Sequence, residues 1–371
     1  MNIYEERRGL FYDWMAREGV ALVMFEDTEG RRDPSVRWFT GQPMDALLFL
    51  SVDKKSLLVP WDINLAANYA AADMTIPYGE FERRSAMALR GVVERLNIPP
   101  GSKIEIPPVT SYPVFLRYVG DLTDFDIICR ERGAGAAAEK QRALKDGEEI
   151  KILRKAAKIT NAVIDLLEKN VRAGKIKTEA DAALLIEIEA RKRGCEGTGF
   201  ETLAAGPDRS FGIHAFPAYT GAGFGGPGLS ILDFGLKYGG YTTDVTLTFV
   251  REPSPAQEKL LALIEKAYGL ALSLVKPGAA ARDIAAAVDS LLAKSKKTMP
   301  HALGHGIGLE AHEAPAIRNR KDNDWILQPG MVFTLEPGLY DPVHGGCRLE
   351  NDILVTEAGA EVLTEGRIIR L

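Results

Sequence analysis

The stretch "LDFGLKYGGYTTDVTLTF", residues 232–249, consists of two strand-like runs around a glycine turn and carries two aspartates, Asp233 and Asp244. A turn centred on Tyr238 and Gly239 would set the two carboxylates directly opposite each other on adjacent antiparallel strands, with Cβ atoms about 5 Å apart. Like charges so placed repel, so the hairpin calls for something that binds both. On the second strand Val245, Leu247 and Phe249 alternate with Asp244, Thr246 and Thr248, which gives one apolar face and one face of carboxylate and hydroxyls. Asp233 joins that polar face across the turn.

Further along, "MVFTLEPGLY" and "CRLENDILV" read as two more strands. They place Glu336 on one, and Arg348 and Glu350, at i and i+2, on one face of the other. All five histidines of the chain, His214, His301, His305, His312 and His344, fall within residues 214–344, which points to a shared site. Three of them lie in "HALGHGIGLEAHEAP", residues 301–315. Its glycines do not form G-x-G-x-x-G, and no lysine follows as in a phosphate-binding loop. His301 and His305 have the i,i+4 spacing of a helical zinc chelate, but Gly304, Gly306 and Gly308 disfavour a helix and suit a backbone that passes close to a neighbour. A solvated sheet face could hold such acids singly. Four acids with one glycine-flanked histidine form the oxygen-rich set that suits a pair of divalent cations, and cations between the carboxylates would relieve the hairpin.

The chain is 371 residues long and 46% hydrophobic, enough for two domains with cores of their own. Residues 3–18 have helical spacing. "VALVMF" from Val20 to Phe25 reads as a buried strand, and "ALLFLSV" and "KSLLVPW" read as a strand pair, so the first part is expected to be an α/β unit. Near residue 135 small residues lead into a charged helical segment. The domains are expected at 1–135 and 136–371. Within the second, Val171, Gly174, Glu179, Leu184 and Ile188 are echoed 104 residues later by Val275, Gly278, Asp283, Val288 and Leu292. Each copy is helix, small-residue turn, helix, then acid-bearing strands, which implies two similar halves.

A net charge of −5, from 51 acidic and 46 basic residues spread along the chain, gives no footprint for nucleic acid or an anionic membrane. Cys129, Cys195 and Cys347 are odd in number and lack CxxC spacing, which argues against disulfides and a thiolate metal site and fits a reducing compartment. With no apolar leader and no run near 18 apolar residues, the expectation is a cytoplasmic protein.

The order Asp, Asp, His, Glu, Glu, set in "LDFG", "TTDVT", "GHGIGLEAHEAP", "LEPGLY" and "CRLEND", resembles the metallopeptidases of the pita-bread fold, most of all the Xaa-Pro aminopeptidases and Xaa-Pro dipeptidases (prolidases). The resemblance spans about residues 142–371, and the N-terminal α/β domain resembles the creatinase-like domain found there. It implies an α+β chain whose C-terminal pita-bread domain binds two divalent ions (Mn, Co, Zn or Fe) through Asp233, Asp244, His305, Glu336 and Glu350. Asp244 and Glu350 would bridge the ions. His312 matches the histidine of the H-E-x-P segment, His301 the one four before the ligand histidine, and Arg348 the arginine two before the last glutamate. His214 matches a substrate-side histidine, although it lies eight residues after Gly206 where seven is usual. Leu247 stands where many members have arginine, and Asn351 where an aspartate is common.

The implied activity is a metallo-exopeptidase that cleaves an N-terminal residue from proline with a hydroxide held between the ions. His312 would stabilise the oxyanion, Glu336 would carry the proton, and Arg348 would hold a substrate carboxylate or a neighbouring ligand. The implied partners are short proline-containing peptides and a second copy of the chain in a homodimer. Neither G-x-S-x-G nor a cysteine–histidine pairing is present to suggest an acyl-enzyme. A methionine aminopeptidase-like or non-peptide activity on the same fold, and an inactive binding module, remain alternative readings.

Overall fold

The computed structural model describes residues 2–371 and divides into two compact units, one ending at Arg142 and one running from Ala143 to Leu371. The break falls seven residues beyond the position expected from composition. The small-residue run forms a helix, Ala134–Arg142, that packs within the first unit, where Arg142 Nη1 donates to Ser35 Oγ at 3.3 Å.

The first unit is a six-stranded mixed sheet with helices. Its strand order is Met74–Thr75, Lys55–Pro60, Ala46–Ser51, Val20–Asp27, Lys103–Glu105 and Asp126–Ile128. The opening helix, Ile3–Glu18, starts from a capping box of Asn2 and Glu5 and stops at Gly19, whose φ of 64° few other residues adopt. The strand Val20–Asp27 follows at once, buried along most of its length, as its continuous apolar run requires.

In the second unit two helical hairpins back two sheets. Helices α1 (Gly147–Arg172) and α2 (Glu179–Lys192) begin at capping boxes on Asp146 and Thr178. They pack Val163, Leu167 and Ile186 into one core with Leu232 and Phe249 of strands β1 (Gly228–Phe234) and β2 (Val245–Arg251). Helices α3 (Pro255–Leu274) and α4 (Ala281–Lys294) bury Leu261, Ile264 and Val288 in a second core. That core also takes in Phe333 and Ile353 of the second sheet, which contains β3 (Gly304–Gly306), β4 (Glu313–Ile317), β5 (Val332–Leu335) and β8 (Asn351–Thr356). Between β5 and β8, β6 (Gly338–Asp341) and β7 (Gly345–Arg348) form a hairpin. Helix pair, strand, strand is thus repeated at the spacing of the sequence echo.

The register of the opening hairpin differs from expectation. Tyr238 pairs with Tyr241 and Lys237 with Thr242, so the turn is Gly239–Gly240, both with positive φ (59° and 88°). A two-residue turn with both centres left-handed matches the strand twist better than one using Tyr238. The partner of Asp233 is therefore Thr246, and Asp244 lies just before β2. The two aspartates remain on one face but sit diagonally. The glycine run is no helix: a Cβ on Gly304 would lie 1.9 Å from Thr334 O, and one on Gly306 2.0 Å from Ala314 O, so these glycines let β3 approach β4 and β5.

Candidate metal centre

Nine of the ten residues that the sequence points to line one cavity of about 530 Å³: His214, Asp233, Asp244, His301, His305, His312, Glu336, Arg348 and Glu350. His344 does not; it lies in the turn between β6 and β7, where its carbonyl accepts from Gln257 Nε2. The acids come from strand ends, where the polar face of each sheet opens. Asp233 is the penultimate residue of β1, Glu336 follows β5, and Glu350 stands between β7 and β8.

One ligand atom each from Asp244, His305 and Glu350 lie within 4.8 Å of one another, the one such cluster among the described residues. Glu336 adjoins it, with Oε1 3.3 Å from His305 Nε2. Asp233 is drawn to Arg348, whose Nη2 donates to Oδ2 at 2.5 Å. The Oδ1 atoms of Asp233 and Asp244 are both buried without a hydrogen-bond partner.

Burial, then the charge of Glu350, raises Asp244 and Glu336 well above the ordinary carboxyl range. Burial, then Asp233, pushes Glu350 up to about 7 against the pull of Arg348. Burial, then His312, lowers His305 to about 3, so its ring is neutral. His305 Nδ1 faces the Gly306 carbonyl at 3.2 Å and must donate to it. Nε2 therefore carries a lone pair, and it points at Asp244 Oδ2 (3.7 Å) and Glu336 Oε1 (3.3 Å). A lone pair facing carboxylates, with two orphaned carboxylate oxygens nearby, fits a cation. Carboxylate and imidazole donors without thiolate suit Mn, Co, Zn or Fe.

The other groups hold this set in place. Arg348, buried, spends its donors on Asp233, on Tyr340 Oη (2.7 Å), on Thr246 Oγ1 (2.8 Å) and on the Ile213 carbonyl (3.2 Å). Burial lowers His301 to about 4; its Nδ1 donates to Ala302 O at 2.8 Å, so its Nε2 accepts from Tyr340 Oη at 3.1 Å. The ring of His312 lies 4.1 Å from that of His305, centroid to centroid. Where aspartate is common after the last glutamate, Asn351 Oδ1 accepts from Gly366 N, while the buried Asp352 accepts from Asp244 N at 3.2 Å. Sequence reasoning did not single out Thr246, Tyr340 or Asp352 as site residues. Their two-residue and four-residue spacings from Asp244, Glu350 and Glu336 were the available signal.

Two like halves around one acidic, histidine-lined cavity define a pita-bread peptidase scaffold. The chain superposes with a TM-score of 0.85 on an Xaa-Pro dipeptidase from Bacillus anthracis, at 25% identity and covering 99% of this chain and 100% of that one. An X-Pro aminopeptidase from Thermotoga maritima gives 0.83, at 25% identity and 98% and 99% coverage. Residues 151–357 match the metallopeptidase family M24, and the chain belongs to that family. A putative dipeptidase of Bacillus subtilis (strain 168), YkvY, is 34% identical over 227 residues, 60% of this chain and 61% of the relative's length. Among the described residues no helix is long and apolar enough to cross a membrane.

Proposed function

We propose that the protein is a metallo-exopeptidase that cleaves the bond between an N-terminal residue and proline. The observation that carries this is His305, whose Nε2 faces Asp244 and Glu336 beside the unpartnered Oδ1 atoms of Asp244 and Asp233. Asp233, Asp244, His305, Glu336 and Glu350 would hold two divalent cations. When bound, these supply Lewis acidity, lowering the pKa of water and polarising a carbonyl. Glu336, at the cavity wall beside His305, takes the proton of the attacking water and delivers it to the leaving proline nitrogen. His312 donates a hydrogen bond to the oxygen on which charge develops. Arg348 holds Asp233 in place: it is buried and its Nε, Nη1 and Nη2 each donate within the chain, which favours the neighbouring ligand over a substrate carboxylate as its partner. His214 and His301 line the substrate side.

The likeness to both an Xaa-Pro dipeptidase and an X-Pro aminopeptidase supports proline at the second substrate position. Such a bond lacks an N–H, so a peptidase that relies on that donor handles it poorly. The test is hydrolysis of Ala-Pro and Ala-Pro-Ala by protein stripped with EDTA and reloaded with Mn²⁺, Co²⁺ or Zn²⁺. Cleavage of the dipeptide alone marks a dipeptidase and cleavage of the tripeptide an aminopeptidase. Undiminished turnover after chelation rejects the proposal. Three unpaired cysteines support a reducing, cytoplasmic setting.

A further inference from the structure

Lys145 stands just before α1, more than 150 residues in sequence from His312. Its ammonium donates to Glu313 Oε1 at 2.6 Å, and the two side chains are 0% and 2% exposed. Its backbone is fastened elsewhere: Lys145 N donates to Gly330 O at 2.9 Å, and Leu144 bridges to Met331. Gly330 adopts φ 91°, and a Cβ there would lie 3.0 Å from Lys145 O, so the contact depends on glycine. Gly330 and Met331 lead straight into β5, which ends at Leu335, immediately before Glu336; Glu313 opens β4 directly after His312. One residue thus ties the Glu336 strand with its backbone and the His312 strand with its side chain.

A buried ion pair is costly to desolvate, and an apolar pair of similar volume often serves stability as well or better. What charge adds is direction, fixing one register and one carboxylate orientation. The Glu313 carboxylate also abuts the glycine run, since a Cβ on Gly308 would lie 2.3 Å from Oε1.

We propose that Lys145 is a positioning residue for His312: its buried ion pair with Glu313 fixes the start of β4, and so the His312 ring, relative to the strand that leads into Glu336. The inference rests on the role given to His312 above. A displacement on the order of 1 Å in such a group can lower turnover up to a hundredfold.

The test uses the metal-loaded full chain on an Xaa-Pro substrate. Lys145→Met is expected to lower kcat about ten- to a hundredfold with KM and metal content unchanged. Glu313→Gln behaves alike, and Lys145→Arg recovers most of the loss. In a His312→Ala background, Lys145→Met lowers kcat little further, because both losses run through one group. Should Lys145→Met fail to fold, Glu313→Gln takes its place with the same expectations. Losses that multiply independently of His312→Ala, or a change confined to thermal stability, would overturn the inference. If His312→Ala itself retains full kcat, the role of His312 in the proposed function fails first; if His312→Ala is slow while Lys145→Met and Glu313→Gln turn over normally, this inference alone falls.

Discussion

The Thr246 hydroxyl donates to Glu350 Oε2 at 2.6 Å and accepts from Arg348 Nε at 2.8 Å, so one buried side chain joins a candidate ligand to the guanidinium that holds another. Thr246→Val keeps the shape and removes both bonds. The expected cost is about 1–3 kcal/mol of stability, from the stranded Arg348 donor, together with roughly ten- to a hundredfold weaker metal binding. Thr246→Ser should restore both. Denaturant titration and metal titration measure the two effects; unchanged metal affinity in Thr246→Val would show that the hydroxyl does not orient Glu350.

Asp244→Asn removes one ionisable group from a site where four carboxyl groups crowd together. Without metal the variant should melt at or above the parent, because burial and the neighbouring acids, which raise the Asp244 carboxyl, no longer act against folding. With Mn²⁺ at about a hundred times the parent's Kd, the parent should gain about 2.7 kcal/mol and the variant little. Thermal melts with and without metal decide it, and an equal gain in both would remove Asp244 from the ligand set.

Metal binding should weaken as pH falls through neutrality. Glu350, raised to about 7 mainly by burial and then by Asp233, holds a proton below that point, and a cation must displace it. Asp244 and Glu336 are raised in the same sense, whereas His305, lowered to about 3, is already free of its proton. Apparent affinity is therefore expected to fall at least about tenfold per pH unit below about 7. Calorimetry in buffers of different ionisation heat counts the protons released; binding with no proton release at pH 6 would contradict the assignment.

Gly306→Ala should destabilise by about 1–3 kcal/mol or more, since the new Cβ would lie 2.0 Å from Ala314 O and 2.2 Å from Ala314 C, backbone atoms that cannot turn aside. Gly221→Ala, which meets nothing within 4 Å, is the control and should be near neutral. Equal denaturant midpoints for the two variants would mean that β3 and β4 are less closely packed than described.

The chemistry of the site was largely legible in the chain. Asp233, Asp244, His305, Glu336 and Glu350 stand among short strand-like runs and line one cavity, but Glu336 and Glu350, expected on strands, lie in the breaks between them, where periodicity no longer applies. The apolar run Val20–Phe25 and the helix at 3–18 were equally plain, because propensity, pattern and caps agree there. Less legible was the turn. Choosing Tyr238–Gly239 over Gly239–Gly240 moves the pairing by two residues, and only the preference of the left-handed turn for two glycines decides between them.

What the sequence by itself determined is which groups could bind a cation and that their strands recur in two halves, since residue type and periodicity are local properties. Only the tertiary structure decided that Arg348 donates to Asp233 and that Lys145 reaches Glu313. Those pairings join segments 115 and 168 residues apart, and which of them form depends on how the elements pack, something no local pattern encodes.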